Sequence, residues 1–447
     1  MGPKQPDVVL NAGADLQAAV EGHPAGTRFV LMPGIYRGQS VVPKRGDWFV
    51  GATTGVAVLD GAAAVTSFTR QGAVWVADGP RQAVSDSTGE CMPQHPLCTQ
   101  TQDLYFDGEA LEPVTSSGAV VGARWYLDRS RNKIFLGTNP EAHSVAIGET
   151  EQAFVGPAND VTIESLTIQH YANRSQEGAI SALAANNGQS SRNWKITNCE
   201  VRWNHGVGIK GGHNIQITGN HVHHNGQLGI AASGTNILVQ DNEIDHNNTA
   251  GYEPGWEAGG TKFSRCTRLV VAKNSVHDNR GPGLWTDGYN SKVIYEKNRT
   301  NDNWVAGILH EISYDAIIRD NTVENDGYHP SGHTSPWYGA GIVIAASSDV
   351  EVYGNTVTNC MNGIVLVQAD RGPGFVVKGA EIHNNTITQT TGFAAGAVAN
   401  SANSDVFTKF DVHFRNNIYR LGRDAAARFH WMNKECSLAE WRAFGNN

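Results

Sequence analysis

The stretch GLWTDGYNSKVIYEKNRTNDNWVAGILHEISYDAIIRDN, residues 283–321, contains one phrase written twice. Gly283-Leu284 leads into Trp285-Thr286-Asp287, and Gly307-Ile308 leads into Leu309-His310-Glu311. Each half then runs through apolar residues to an asparagine, Asn298 or Asn321. The asparagine phrase extends well beyond this stretch. A loose pattern of apolar-x-x-Asn-x-Val/Ile collects Asn220, Asn242, Asn274, Asn298, Asn321, Asn355, Asn385 and Asn417. Cys199 and Leu166 hold the same place in two earlier copies. The successive intervals from Asn220 are 22, 32, 24, 23, 34, 30 and 32 residues, a short unit with insertions of roughly ten residues in the longer copies.

Each unit holds two or three short runs of alternating or β-branched residues, broken by Gly, Asn and Asp. A unit this short cannot bury its own apolar face, so copies must stack to make a shared core. A repeat without a helical segment and with about three strands per turn predicts an all-β parallel β-helix. The recurrent Asn sits at one bend of each coil, where its amide can bond the backbone and its counterparts above and below. That role is structural.

Composition agrees with this reading. The chain has 447 residues, 50 of them Gly, and only 17% are charged, a turn-rich β composition. A formal charge of −9 argues against nucleic acid as a partner. No apolar run of about 18 residues exists to span a membrane. The start, MGPKQPDVVL, lacks the charged and apolar regions of a signal peptide. Of six cysteines, Cys91 and Cys98 flank one short loop, as a disulfide or as two loop thiols. Cys199, Cys266, Cys360 and Cys436 lie in apolar patterns and read as buried thiols. None has the spacing of a zinc site.

Four segments follow. Residues 1–99 read as a capping helix, from Asp15 to Glu21, and the first coils. The helix covers the exposed sheet edge at the end of the solenoid. Residues 100–157 read as a small β insertion, because DLYFDGEALEPV and ARWYLDRSRNKIFLGTNP have hairpin patterns. Residues 158–425 read as the main β-helix. Residues 426–447 read as a C-terminal cap, with Ser437 and Glu440 spaced as a capping box and Leu438, Trp441 and Phe444 available for packing.

Within the main coils each strand can be read slot by slot from its Gly, because side chains alternate between faces. The first slot after Gly holds Ile209, Ile230, Thr261, Leu284, Ile308 and Ile342, which point inward. The second slot, outward, holds Lys210, Ala231, Lys262, Trp285, Leu309 and Val343. The fourth slot, also outward, holds Gly212, Ser233, Ser264, Asp287, Glu311 and Ala345. Asp287 and Glu311 therefore stack in one outward slot of adjacent coils. At a strand spacing of about 4.8 Å, their carboxyl groups fall about 5–6 Å apart. That is the separation of retaining rather than inverting glycosidases. Two like charges this close cannot both ionise freely, so one becomes an acid and the other a base. The alternatives are a cation site or two solvated acids.

Glu257 and Lys262, from GWEAGGTKF one coil earlier, are candidates for contacting substrate, as are Trp285 and His310. Trp256, Trp285, Trp304 and Trp337 cluster in this part of the sequence and could hold sugar faces. The insertion NDGYHPSGHTSPWYGAG, residues 325–341, brings His329, His333, Trp337 and Tyr338 to the same face as a loop wall. His329 and His333 have a Gly between them and no helix to align them, so no metal is assigned. No cofactor is expected.

The phrases GLWTDGYN, GILHEIS, GWEAGGTK and VHDN together resemble the β-helical glycoside hydrolases, most nearly the β-xylosidase type of family 120. The resemblance implies Asp287 as nucleophile and Glu311 as acid/base, acting on an oligo- or polysaccharide. The N-terminal phrase ADLQAAVEGHPAGTRFVLMPGIYRGQSVVP resembles the start of many secreted right-handed β-helix proteins that act on carbohydrates, which implies a right-handed parallel β-helix and a secreted or periplasmic location. Two other classes compete. A polysaccharide lyase or uronate epimerase would use Lys262, His310, Arg265 or Arg280 as base or carboxylate partner. A non-catalytic carbohydrate-binding solenoid would bind without turnover.

Overall fold

The computed structural model describes residues 7–182, 191–330, 337–389, 391–399, 404–422 and 427–446. They fall into two compact units, one of Met1–Lys210, Asn220–Leu228 and Thr249–Trp256, the other of Gly211–Gly219, Gly229–Asn248 and Glu257–Asn447. Both are built from parallel strands stacked coil on coil, and the fold is a right-handed parallel β-helix.

In the first unit, Val8–Leu10, Arg28–Leu31, Trp48–Gly51, Thr162–Glu164 and Lys195–Thr197 form one parallel stack. Gly34–Arg37, Ala57–Asp60, Thr167–Gln169, Glu200–Arg202 and His221–His223 form another. The N-terminal helix runs Leu16–Gly22. It is capped by Asp15, whose Oδ1 accepts the Ala18 amide at 2.9 Å, and it buries Leu16 and Val20. Ala57–Asp60 pairs directly with Thr167–Gln169, and the coils resume at Phe154–Val155 and Thr162–Glu164, so the residues from Gly61 to about 150 leave the coil path. They make a four-stranded and a five-stranded sheet, with Arg124–Asp128 and Lys133–Leu136 as one antiparallel hairpin. Trp125, Leu127, Ile134, Leu136, Val145 and Ile147 give these sheets a core of their own. The sheets draw on strands from Ala62–Ala64 onward, well before residue 100, where the sequence pattern placed the start. The early strand Val74–Asp78 has an apolar pattern that a coil strand would share, so it carries no boundary signal. Cys91 and Cys98 form a disulfide.

In the second unit, Leu284–Asp287, Ala306–Glu311, Ala340–Ala345, Ile364–Gln368 and Ala395–Ala399 stack in register. Ser291–Glu296, Tyr314–Arg319, Ser348–Tyr353 and Lys378–His383 form the next face of the same coils. Ser275–His277, Arg299–Asn301, Thr322–Glu324, Thr356–Thr358 and Thr386–Gln389 form the third. The first-slot residues Thr261, Leu284, Ile308 and Ile342 are fully buried, as their parity requires. At the C-terminus, Ser437 and Glu440 form a capping box on the helix Leu438–Ala443, which buries Trp441. Phe444, expected to pack, is instead exposed, because it lies past the helix end. No helix among the described residues is long and apolar enough to cross a membrane.

The asparagine ladder is continuous through the second unit. The side-chain amide of Asn242 donates to Oδ1 of Asn274 at 2.9 Å, and the pattern repeats through Asn298, Asn321, Asn355, Asn385 and Asn417. Each side chain also donates to a backbone carbonyl of the coil before it. Buried backbone groups at the bends are thereby satisfied without water.

A second ladder, less plain in the sequence, runs Asn247, Asn279, Asn303 and ends on Asp326. Asp326 is fully buried and accepts from Asn303 at 2.8 Å and from Thr300 at 2.7 Å. Burial pushes its carboxyl up to about 7 despite those bonds. The folded state therefore holds a proton that the unfolded chain releases near the ordinary carboxylate range, and stability falls as pH rises through that window. Asp326→Asn extends the amide ladder and removes the titration. At pH 8 the variant should be more stable by about 1–3 kcal/mol, and near pH 4 the gap should close. Thermal or urea unfolding at the two pH values measures it.

Candidate active site

The two strands quoted at the outset pair residue for residue: Leu284 with Ile308, Trp285 with Leu309, Thr286 with His310, and Asp287 with Glu311. Phe263 pairs with Thr286 on one side and Glu311 with Ala345 on the other. The carboxylates thus share one outward slot of adjacent coils, flanked in that slot by Ser264 and Ala345.

The two acids have different surroundings. Asp287 is partly exposed and carries Lys262, whose Nζ lies 2.8 Å from Oδ2. Lys262 also binds Glu257 at 3.1 Å and sits 3.9 Å over the Trp285 ring, so its ammonium is held by two carboxylates and an aromatic face. Glu257 is placed there by the short helix Pro254–Glu257, just before the strand that carries Lys262. Glu311 is only 5% exposed. Its carboxyl is pushed up to about 7, first by burial and second by the charge of Asp287. Arg371, 3.5 Å away, Lys262 and a hydrogen bond from the Tyr338 hydroxyl oppose the rise. The asymmetry expected from the mutual repulsion of the two acids thus has desolvation as its larger cause.

Arg371 was not foreseen. It comes from the loop between Ile364–Gln368 and Lys378–His383, two coils beyond Glu311. The surrounding QADRGPG, residues 368–374, reads as an ordinary turn, and only the stacking of coils carries it to the acid pair.

His310 needs correction as a substrate contact. It is one position before Glu311, so strand parity turns it into the core, where it is fully buried. Its Nδ1 lies 2.7 Å from the Thr286 hydroxyl, Nε2 has no partner, and burial lowers its pKa to about 3. It is a neutral packing residue and cannot reach a sugar.

The tryptophans do not form one open platform. Trp285 points outward but is 3% exposed. It packs with Leu309, Val343, Val365 and Val367 in an apolar ridge on the outer face, against which Trp337 and Tyr338 lie. Trp337 stacks on Phe393 with centroids 5.1 Å apart and abuts His430. Trp304 stands at the turn before Ala306–Glu311, with Arg280 over its ring and His329 against its edge. Trp256 stacks on Tyr252 at 5.8 Å in the first unit. Trp285 contacts the Lys262 group as the floor beneath the ammonium. The loop wall is represented by Tyr338, while His333 lies outside the described residues.

The family model described as the right handed beta helix region matches residues 181–335 and 260–387. No curated protein sequence matches the chain. Among solved structures, the complex of XylC with xylose is similar at a TM-score of 0.69 and 15% identity, over 91% of this chain and 79% of that one. The A-module of the Azotobacter vinelandii mannuronan C-5 epimerase AlgE4 is similar at 0.57 and 13%, over 95% of each chain. Identities this low speak for the fold, and together with the stacked strands they make this chain a right-handed parallel β-helix.

Proposed function

We propose that the protein is a retaining glycoside hydrolase with Asp287 as nucleophile and Glu311 as general acid/base. The observation that carries this reading is the pairing of Asp287 with Glu311 in one register, one carboxyl partly exposed beside Lys262, the other buried and titrating near neutrality. In the first step Glu311 gives its proton to the glycosidic oxygen as the bond from that oxygen to C1 breaks. The bonding pair leaves with the oxygen. Lys262 holds Oδ2 of Asp287, and Oδ1 attacks C1 to form a glycosyl ester. In the second step the Glu311 carboxylate takes a proton from water as the water oxygen attacks C1 and expels Asp287. The sugar leaves with its original anomeric configuration.

Charge at the site favours a neutral sugar. Glu257, Asp287 and Glu311 face two cations, Lys262 and Arg371, and Lys262 is already bound by two carboxylates. With Glu311 protonated, Glu257 and Asp287 already balance the two cations, so a uronate carboxylate would meet no net positive charge. The XylC complex contains xylose, and a small neutral sugar of that kind is the substrate proposed here.

The presence of two cations beside the acids, with the likeness to an epimerase module, supports a second reading, action on uronic acid polymers. His310 cannot be its base, since it is buried. The two readings separate on a panel of aryl glycosides and uronic acid polymers. Hydrolysis of an aryl glycoside, with proton NMR showing the retained anomer as first product, is the expected result. An inverted first product would overturn the retaining mechanism. An unsaturated product absorbing in the ultraviolet, or an epimerised polymer, would establish the uronate reading instead.

A further inference from the structure

The strand His221–His223 carries histidine at its first and third positions, so both imidazoles leave the same side of the sheet. On the neighbouring strand, Glu200 stands directly opposite His221. Glu200, His221 and His223 each present a ligand atom, and these atoms all lie within 4.8 Å of one another. The two rings are 4.0 Å apart. None of the three is part of the acid pair described above.

Two details of the group fit a metal site. His223 Nε2 is 3.3 Å from Glu200 Oε1, longer than the roughly 2.7–2.9 Å of a charge-assisted hydrogen bond. It matches the edge of a tetrahedron whose bonds to a central ion are about 2.1 Å, which is about 3.4 Å. The groups around the site are also arranged to hold such ligands. Arg202 Nη1 binds Glu200 Oε1 at 2.9 Å and the Thr167 hydroxyl donates to Oε2 at 3.1 Å, so the carboxylate is fixed in place. His223 Nδ1 lies 2.8 Å from His224 Nδ1. A proton on that Nδ1 donates to His224 and leaves the Nε2 lone pair directed at Glu200, the outer partner that ligating histidines use.

We propose that Glu200, His221 and His223 form a binding site for a divalent transition metal ion of the Zn²⁺ class, clamping two adjacent coils together. Two imidazoles and one carboxylate suit such an ion better than Ca²⁺ or Mg²⁺, which take oxygen ligands. The ion would contribute stability, because it binds the folded chain and not the unfolded one.

The test uses the untagged full chain titrated with Zn²⁺ by calorimetry, with Co²⁺ absorption as a second probe. The expected result is one ion per chain, a melting temperature raised by Zn²⁺, and visible Co²⁺ bands of a tetrahedral site. Loss of an outer partner alone costs about 10–100-fold in metal affinity, so His221→Asn and His223→Asn should each weaken Zn²⁺ about 100-fold or more and abolish the melting shift. His143→Asn, whose ring pairs with Asp107 and which belongs to no such histidine and acid group among the described residues, should leave the affinity unchanged. Circular dichroism shows which variants are folded, and Glu200→Gln serves if one histidine variant is not. Zn²⁺ affinity unchanged in folded His221 or His223 variants, or lost in His143→Asn instead, would overturn the assignment.

Discussion

Asp287→Ala is expected to reduce turnover of an aryl glycoside by roughly 10⁴-fold or more, as loss of the nucleophile does in other covalent enzymes. Asp287 faces outward, its neighbour in register is the proton donor, and no other described carboxylate shares their slot. The defect should be chemically reversible. Azide fits where the carboxylate was and needs no base, so the variant should form a glycosyl azide of opposite anomeric configuration, with Glu311 still present as acid. A merely structural role for Asp287 predicts no such product. The substitution also leaves Lys262 buried with Glu257 as its remaining acid, so some stability is lost. Asp287→Asn preserves the volume, and its melting curve separates a folding defect from a catalytic one.

Glu311→Gln is expected to lower kcat/KM by about 10²–10⁴-fold on substrates with poor leaving groups, and by much less on activated aryl glycosides that need no protonation. The pH profile is the more discriminating readout. Glu311 must carry a proton to act as acid, and its carboxyl sits at about 7. In the wild type kcat/KM should therefore fall as pH rises through about 7, and the glutamine variant should lack that limb. Arg371 opposes the rise in the Glu311 pKa. In Arg371→Met the alkaline limb should move to higher pH, while Glu311 remains in place. A limb that stays put in both variants would detach it from Glu311.

Most of the architecture could be read from the chain because it repeats. An asparagine at intervals of 22 to 34 residues has few explanations besides a stacked coil, and period-two alternation assigned Leu284 and Ile308 to the inside. The same parity places His310 inside, and its inclusion among substrate contacts overlooked a signal that was present. The outward ridge of Trp285, Leu309 and Val343 shows a different limit. Strand parity tells which way a side chain leaves the sheet, but not that Tyr338 and Trp337 lie over it. Arg371 shows a third. It lies 60 positions after Glu311 in a Gly- and Pro-containing loop, and its meeting with that acid depends on the lengths of two intervening coils. The Asp326 ladder was obscured by its mixed chemistry, three asparagines ending on an acid.

The account rests on a covalent bond at one residue. A 2-deoxy-2-fluoro glycoside with a good leaving group, carrying whichever sugar the aryl panel shows to be cleaved, slows release of the intermediate. Mass spectrometry of the digested protein then locates the label. One fluoroglycosyl group per chain, on the peptide containing Asp287 and absent from Asp287→Asn, is the predicted result. A label on Glu311 or elsewhere, or steady hydrolysis with no covalent adduct, would contradict it.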